Sequence, residues 1–211
     1  MSIPVVLRGQ TTPTEMPFSE FSKILQVEYL CSMRFSHPKI EAKIKKCCAR
    51  AHAKGLFTEK QLWMGCYYAQ EIKEGRGADV TIAWIDEPIG YGIFANRDIP
   101  AFTYIGEYLG CLRKPTFFRD RTNYYNFNYY ITLNYCERNL RAPYLIDARD
   151  AGNFTRYLNH SDRPNLSMAS AYCAERLHII FYANCLIRKG KQLLYDYGPI
   201  YWEKRSPPLS L

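Results

Sequence analysis

Arg156-Tyr157-Leu158-Asn159-His160-Ser161-Asp162-Arg163-Pro164-Asn165 and Gly190-Lys191-Gln192-Leu193-Leu194-Tyr195-Asp196-Tyr197-Gly198 are the two stretches on which the fold turns. Both set loop-forming Asn, Asp, Ser, Pro and Gly beside apolar residues. A strand-like run, Leu177 to Ala183, lies between them, and another, Gln192 to Tyr195, lies inside the second. Upstream, Val80 to Ile85, Tyr91 to Ala95, Phe102 to Leu112 and Tyr144 to Asp147 are short apolar or alternating runs broken by turn residues, and they too are expected to be strands. Asn123 to Tyr135 packs Tyr124, Tyr125, Phe127, Tyr129, Tyr130 and Tyr135 together, with a strand end expected at Ile131 to Leu133. That density suits core, a substrate channel or stacking platforms alike.

The first third reads as helical. Phe18 to Tyr29 places Phe21, Ile24, Leu25 and Tyr29 at helical spacing behind Ser19 as N-cap. A second helix opens at Pro38, runs through Ile40, Ile44, Cys47, Cys48 and Ala51, and stops at Gly55. A third starts at Thr58, with Gln61 completing a capping box, and runs to Gly75.

With 211 residues, the chain is long enough for one full core and a small extension, and 47% hydrophobic with 23% charged residues is a globular composition. No apolar run approaches the roughly 20 residues that span a bilayer. The start, Met1 to Arg8, has no basic n-region, so no Sec signal is expected. The net charge of +8 is spread along the chain, with 11 basic and 7 acidic residues up to Gly75 and 17 and 13 after it. The densest basic run, Lys39 to Lys54, is a solvated helix face or a surface for nucleic acid or an acidic partner. Its apolar stripe would need covering, in a homodimer among other ways. The 8 cysteines include no Cys-x-x-Cys pair and no histidine at zinc-ligand spacing, so no metal site is expected and the thiols read as reduced.

Gly90-Tyr91-Gly92 alone signals only a tight turn. Followed by Glu107-Tyr108-Leu109-Gly110, the Asn159-His160-Ser161 and Pro164-Asn165 segment and the Asp196-Tyr197-Gly198 end, it resembles the SET-domain family of protein lysine methyltransferases from about Val80 to Gly198. The resemblance implies a mostly β fold with some α, β-clip-like and pseudoknotted, in which the Asp-Tyr-Gly segment threads under the Asn-His-Ser loop. The organisation expected is a small N-terminal helical module at 1–76, the SET domain at 77–199 and a short C-terminal tail at 200–211. It implies S-adenosylmethionine as cofactor, held by Gly90, Tyr91, Gly92, Arg156, Asn159, His160, Tyr197 and Trp202, with Tyr201 as another cover for the adenine. Tyr197, Tyr195 and Tyr108 are the implied catalytic residues. Tyrosine rather than phenylalanine at 195 favours monomethylation. Two departures stand out. Asp162 replaces the cysteine that many members carry after Asn-His-Ser, and no cysteine follows Cys185, so zinc near the C-terminus is not expected.

The residue types suit the chemistry. A lysine amine, with a reference pKa of about 10.4, is protonated at neutral pH and must lose a proton to attack. An aromatic tunnel disfavours the ammonium by desolvation, and a cationic donor adds like-charge pressure. The expected function is therefore methyl transfer from S-adenosylmethionine to a lysine amine of a protein substrate, a histone or histone-like protein among the candidates. The alternatives are a catalytically weak SET-fold binding module and a nucleic-acid binder, the latter explaining charge but not motifs. The expected location is cytoplasm or nucleus and nucleoid, with export by another route left open.

Overall fold

A computed structural model describes residues 1–116, 120, 125–135 and 138–202 of the chain; Asn123, Tyr124, Cys136 and the tail beyond 202 lie outside the described residues, as do the side chains of 130–135, 138–143 and Ile200. The chain begins in strands: β1 (Ser2–Val6) and β2 (Thr14–Pro17) pair antiparallel. Ile3 and Val5 alternate inward from β1, the period-2 pattern of a half-buried strand. The helix expected over Phe18 to Tyr29 is a correction. The structure has a 3-10 turn at Phe18–Glu20, one turn α1 (Phe21–Ile24) and strand β3 (Glu28–Tyr29). Gln26 takes a positive φ of 56°, which breaks the helical run, and Phe18 stacks on Tyr29 with centroids 3.7 Å apart. After β4 (Arg34–Phe35) come the helices α2 (Pro38–Ala53), α3 (Glu59–Tyr67) and α4 (Ala69–Glu74).

Helix ends follow the local chemistry. His37 caps α2 by accepting from the Lys39 amide, and Pro38 occupies the first turn. The Thr58–Gln61 capping box is formed in both directions, at 2.9 and 3.2 Å. The single helix expected to Gly75 breaks at Tyr68 into α3 and α4, and Gly75 ends α4 in the left-handed region at φ 62°. Residues 1–76 are thus helical from Pro38 onward and strand-rich before it.

The remaining strands are β5 (Val80–Asp86), β6 (Gly90–Ala95), β7 (Tyr104–Glu107), β8 (Cys111–Arg113), β9 (Asn126–Tyr135), β10 (Arg138–Asp147), β11 (Ala151–Gly152), β12 (Asn159–His160), β13 (Leu166–Cys173), β14 (Arg176–Ala183) and β15 (Leu194–Tyr195). The run Phe102 to Leu112 is interrupted between Glu107 and Cys111, so it supplies β7 and part of β8 to different sheets. Three larger sheets form in the orders β2-β1-β5-β6, β4-β8-β10-β9 and β13-β14-β7. In the first, β1 runs parallel to β5 with Val5 opposite Ile82, so the N-terminal strands extend the sheet that carries Gly90 to Ala95.

β14 is buried on both faces. Leu177, Ile179, Phe181 and Ala183 join the main core, while Ile180 and Tyr182 join a second cluster with Met64, Tyr68 and Ile72 of the helices. Period-2 alternation makes one strand the shared wall of two cores. Gly65 lets α3 approach β13 closely, because a Cβ there would lie 1.8 Å from the Tyr172 carbonyl oxygen. The apolar stripe of α2 is covered within the chain: Ile44 and Cys48 are buried, and the helix packs on β9 and β14. The stripe therefore needs no second copy to cover it. Among the described residues no helix is long and apolar enough to cross a membrane.

Candidate active site

The two diagnostic stretches meet. β12 and β15 pair in parallel, Asn159 opposite Leu194 and His160 opposite Tyr195. Beyond that pair the Ser161 amide donates to the Tyr195 carbonyl at 3.2 Å, and the Asn165 amide donates to Leu194 at 3.1 Å. The segment 194–195 is thus bonded to both ends of the loop 159–165. Asn165 extends the ladder with its side chain. Its Nδ2 donates to the Gln192 carbonyl at 2.8 Å and its Oδ1 accepts from the Leu194 amide at 2.9 Å, as a backbone peptide would.

The aromatic end is fixed by the same loop. The Tyr197 amide donates to His160 Nδ1 at 3.2 Å, which leaves the Nε2 hydrogen facing Asp162 Oδ1 at 3.2 Å. The Tyr197 hydroxyl donates to the Leu158 carbonyl at 2.8 Å. Asn159 reaches the first glycine turn, where its Nδ2 donates to the Tyr91 carbonyl at 3.0 Å. Gly92 sits under this contact, where a Cβ would meet Ile85 at 2.6 Å, Gln192 at 2.7 Å and Asn159 at 3.2 Å. A larger residue there would displace these side chains.

A cavity of about 830 Å³ opens at this junction, within the usual range for small-molecule sites. Of the sequence-derived site residues, Gly90, Tyr91, Tyr108, Arg156, Asn159, Tyr195 and Tyr197 line it, and so does Tyr201. Gly92, His160 and Trp202 are not among its lining residues. His160 instead packs edge-on against Trp202 at 4.9 Å, and Trp202 lies parallel to Tyr197 at 6.0 Å. Trp202 is on the helical turn Pro199–Trp202.

Tyr195 packs against both Tyr197 and Phe181 with centroids 4.8 Å away. Tyr108 donates its hydroxyl to the Tyr125 carbonyl at 3.1 Å and packs on Phe127 at 5.4 Å. Burial pushes the ionisation of Tyr108, Tyr195 and Tyr197 upward, so all three remain neutral phenols at physiological pH. Because Tyr197 and Tyr108 each commit their proton to a carbonyl, their oxygens keep lone pairs free for a donor in the cavity.

Sequence reasoning missed several lining residues. Tyr157 lies inside the quoted motif; its hydroxyl is buried, and no partner of good geometry meets it among the described residues. Tyr125 receives the Arg156 guanidinium at 3.9 Å from its ring centroid, within cation–π range. Arg156 is held by bonds to the Ala148 and Arg149 carbonyls. The aromatic density around Tyr125 was the available signal; which tyrosines faced inward depended on strand register.

Beside the site, the buried Glu107 carboxylate meets Arg176 at 2.8 Å and His178 Nδ1 at 3.0 Å. Burial alone would raise its pKa, but hydrogen bonding to His178 and the charge of Arg176 hold it below the usual carboxylate value.

The SET-domain family model matches residues 90–198. The chain is 32% identical over 133 residues to an H3 lysine-36 specific histone-lysine N-methyltransferase of Eremothecium gossypii, covering 61% of this chain and 18% of that protein. It is 34% identical over 111 residues to the putative histone-lysine N-methyltransferase ASHH4 of Arabidopsis thaliana, covering 53% of this chain and 31% of that protein. The chain thus spans a third or less of the length of these relatives. In fold it is similar to a chain in the Chaetomium thermophilum polycomb repressive complex 2, at a TM-score of 0.51 and 24% identity, over 64% of this chain and 17% of that one.

Proposed function

The chain belongs to the SET-domain family, and from that premise we propose that it is an S-adenosylmethionine-dependent protein lysine N-methyltransferase. The observation that carries the proposal is the junction of Asn159-His160 with Leu194-Tyr195 beside one aromatic-walled cavity. The residues present fit the cofactor. The cavity is large enough, its wall holds the buried Tyr157 hydroxyl, and the Gly90–Tyr91 turn with Asn159 and Arg156 offers backbone and cationic groups. Those four positions would hold it; when bound, it supplies an electrophilic methyl group on a cationic sulfur.

The chain's own work is to deliver a neutral amine. A lysine entering among Tyr108, Tyr125, Tyr195 and Tyr197 leaves water for aromatic faces, which lowers the amine's pKa by desolvation. The proton leaves to solvent, because neutral phenols whose ionisation is pushed upward are not the base. The free lone pairs of Tyr197 and Tyr108 then accept from the remaining N–H groups and hold the nitrogen in line for attack. Tyr195 narrows the space in which the amine can turn, so transfer stops at the monomethyl product.

The substrate is a lysine-bearing protein segment of histone type, the class named in both curated relatives. Action on such a substrate places the chain where chromatin is, in nucleus or nucleoid. The test is incubation of a histone mixture with methyl-labelled S-adenosylmethionine. Label should appear on lysine with the native chain and be nearly lost with Tyr197→Phe; label on neither, from folded cofactor-bound protein, would reject the proposal.

A further inference from the structure

The outer face of α2 carries a charge pattern that neither the core nor the cavity uses. Lys39, Lys43, Lys46, Arg50 and Lys54 are all exposed and succeed one another at steps of four, three, four and four residues. At the helical rotation per residue they fall within an arc of roughly 80°. Ile44, Cys48 and Ala51, on the opposite side, are buried. Glu41, the only acid on the helix, lies off the stripe and is paired with Lys45 at 3.0 Å.

We propose that this stripe docks on the phosphate backbone of double-helical DNA. Four features select that partner. From Lys39 to Lys54 the stripe runs about 22 Å, the rise of roughly six base pairs. The exposed positions flanking it are Ala42, Ala49 and Ala53, whose small side chains let a backbone approach the cations closely. A protein partner would be met by aromatic or other apolar anchors, which this arc lacks, and lysine is depleted in protein interfaces. Single-stranded nucleic acid would need stacking rings, and the arc has none. Regularly spaced cations with no Asn, Gln, Ser or Thr on the same helix suit sequence-independent phosphate binding.

The proposal does not rest on methyl transfer. It is tested by the anisotropy of a labelled 20-base-pair duplex titrated with the full chain between 50 and 200 mM salt. About four to five neutralised phosphates give a log–log salt slope near −4, a loss of about 250-fold across that range, whatever the duplex sequence. Lys43→Gln with Lys46→Gln should flatten the slope by about 2 while melting stays unchanged. Lys23→Gln with Lys189→Gln, which remove charges elsewhere on the surface, should leave the slope as it was. Absence of duplex binding at 50 mM salt would overturn the proposal. So would an unchanged slope in the α2 variant, or tighter binding of polyglutamate or a single strand of equal charge.

Discussion

Tyr197 concentrates the chemistry at one residue because its backbone and side chain are held by different points of the same loop. The His160 ring receives its amide and the Leu158 carbonyl its hydroxyl. Tyr197→Phe removes the oxygen but keeps the ring and the amide bond, so it should cost the methyl-transfer rate on the order of 10²-fold with little change in cofactor affinity. Single-turnover mass spectrometry beside calorimetry separates the two effects; equal losses in rate and affinity would place Tyr197 in binding alone. Tyr195→Phe should instead change the product, adding di- and trimethyl-lysine to the monomethyl form in the mass spectrum. Burial pushes the ionisation of these phenols upward, so the neutral form persists well past pH 10. The rate should therefore climb from pH 7 to about 10 as the lysine deprotonates, with no falling limb from tyrosinate. A decline beginning near pH 9, from folded protein, would contradict neutral phenols.

Elements join through side chains that substitute for backbone, and Asn165 is the clearest case. Asn165→Ala leaves the Gln192 carbonyl and the Leu194 amide without their side-chain partner. It should lower stability by about 1–3 kcal/mol in denaturant melts and weaken cofactor binding as the β12–β15 junction loosens. Glu107 ties β7 to β14 with a sign in pH. Its folded pKa lies below the ordinary 4.5, so its contribution is present above that value and is lost as pH falls through the folded pKa. Glu107→Gln should flatten the acid-side loss of stability and, by leaving the half-buried Arg176 without its counter-charge, destabilise at neutral pH by about 3 kcal/mol. Legibility differed among elements for physical reasons. The capping box at Thr58 and the apolar run of β14 were plain because each signal is local. Phe18 to Tyr29 misled because its aromatic spacing serves stacking of Phe18 on Tyr29 as well as a helix. β1 and β2 carry little local signal, because Pro4 weakens the strand pattern and β1 gains its meaning only from its partners, β2 and β5.

The whole molecule was legible where sequence motifs are themselves contacts. Asn159-His160 and Leu194-Tyr195 touch, and so the quoted residues marked both the topology and the cavity. The inward set was less legible, because Trp84, Tyr125 and Tyr157 line the cavity through register and sheet twist that no local pattern encodes. Gly92, outside the cavity lining, sits where Ile85, Gln192 and Asn159 pass close by. The basic charge divides by face as well, with the α2 stripe outside and, among the described residues, only Arg156 of the cations lining the cavity. Everything proposed for the site requires one well-folded chain to take up one donor molecule at the β12–β15 junction. Calorimetric titration of S-adenosylmethionine into the native chain and into Asn159→Ala tests this most directly. A one-to-one isotherm with the native chain, weakened at least tenfold in the variant, is the expected result; no heat of binding to a natively folded chain, or equal affinity in both, would contradict it.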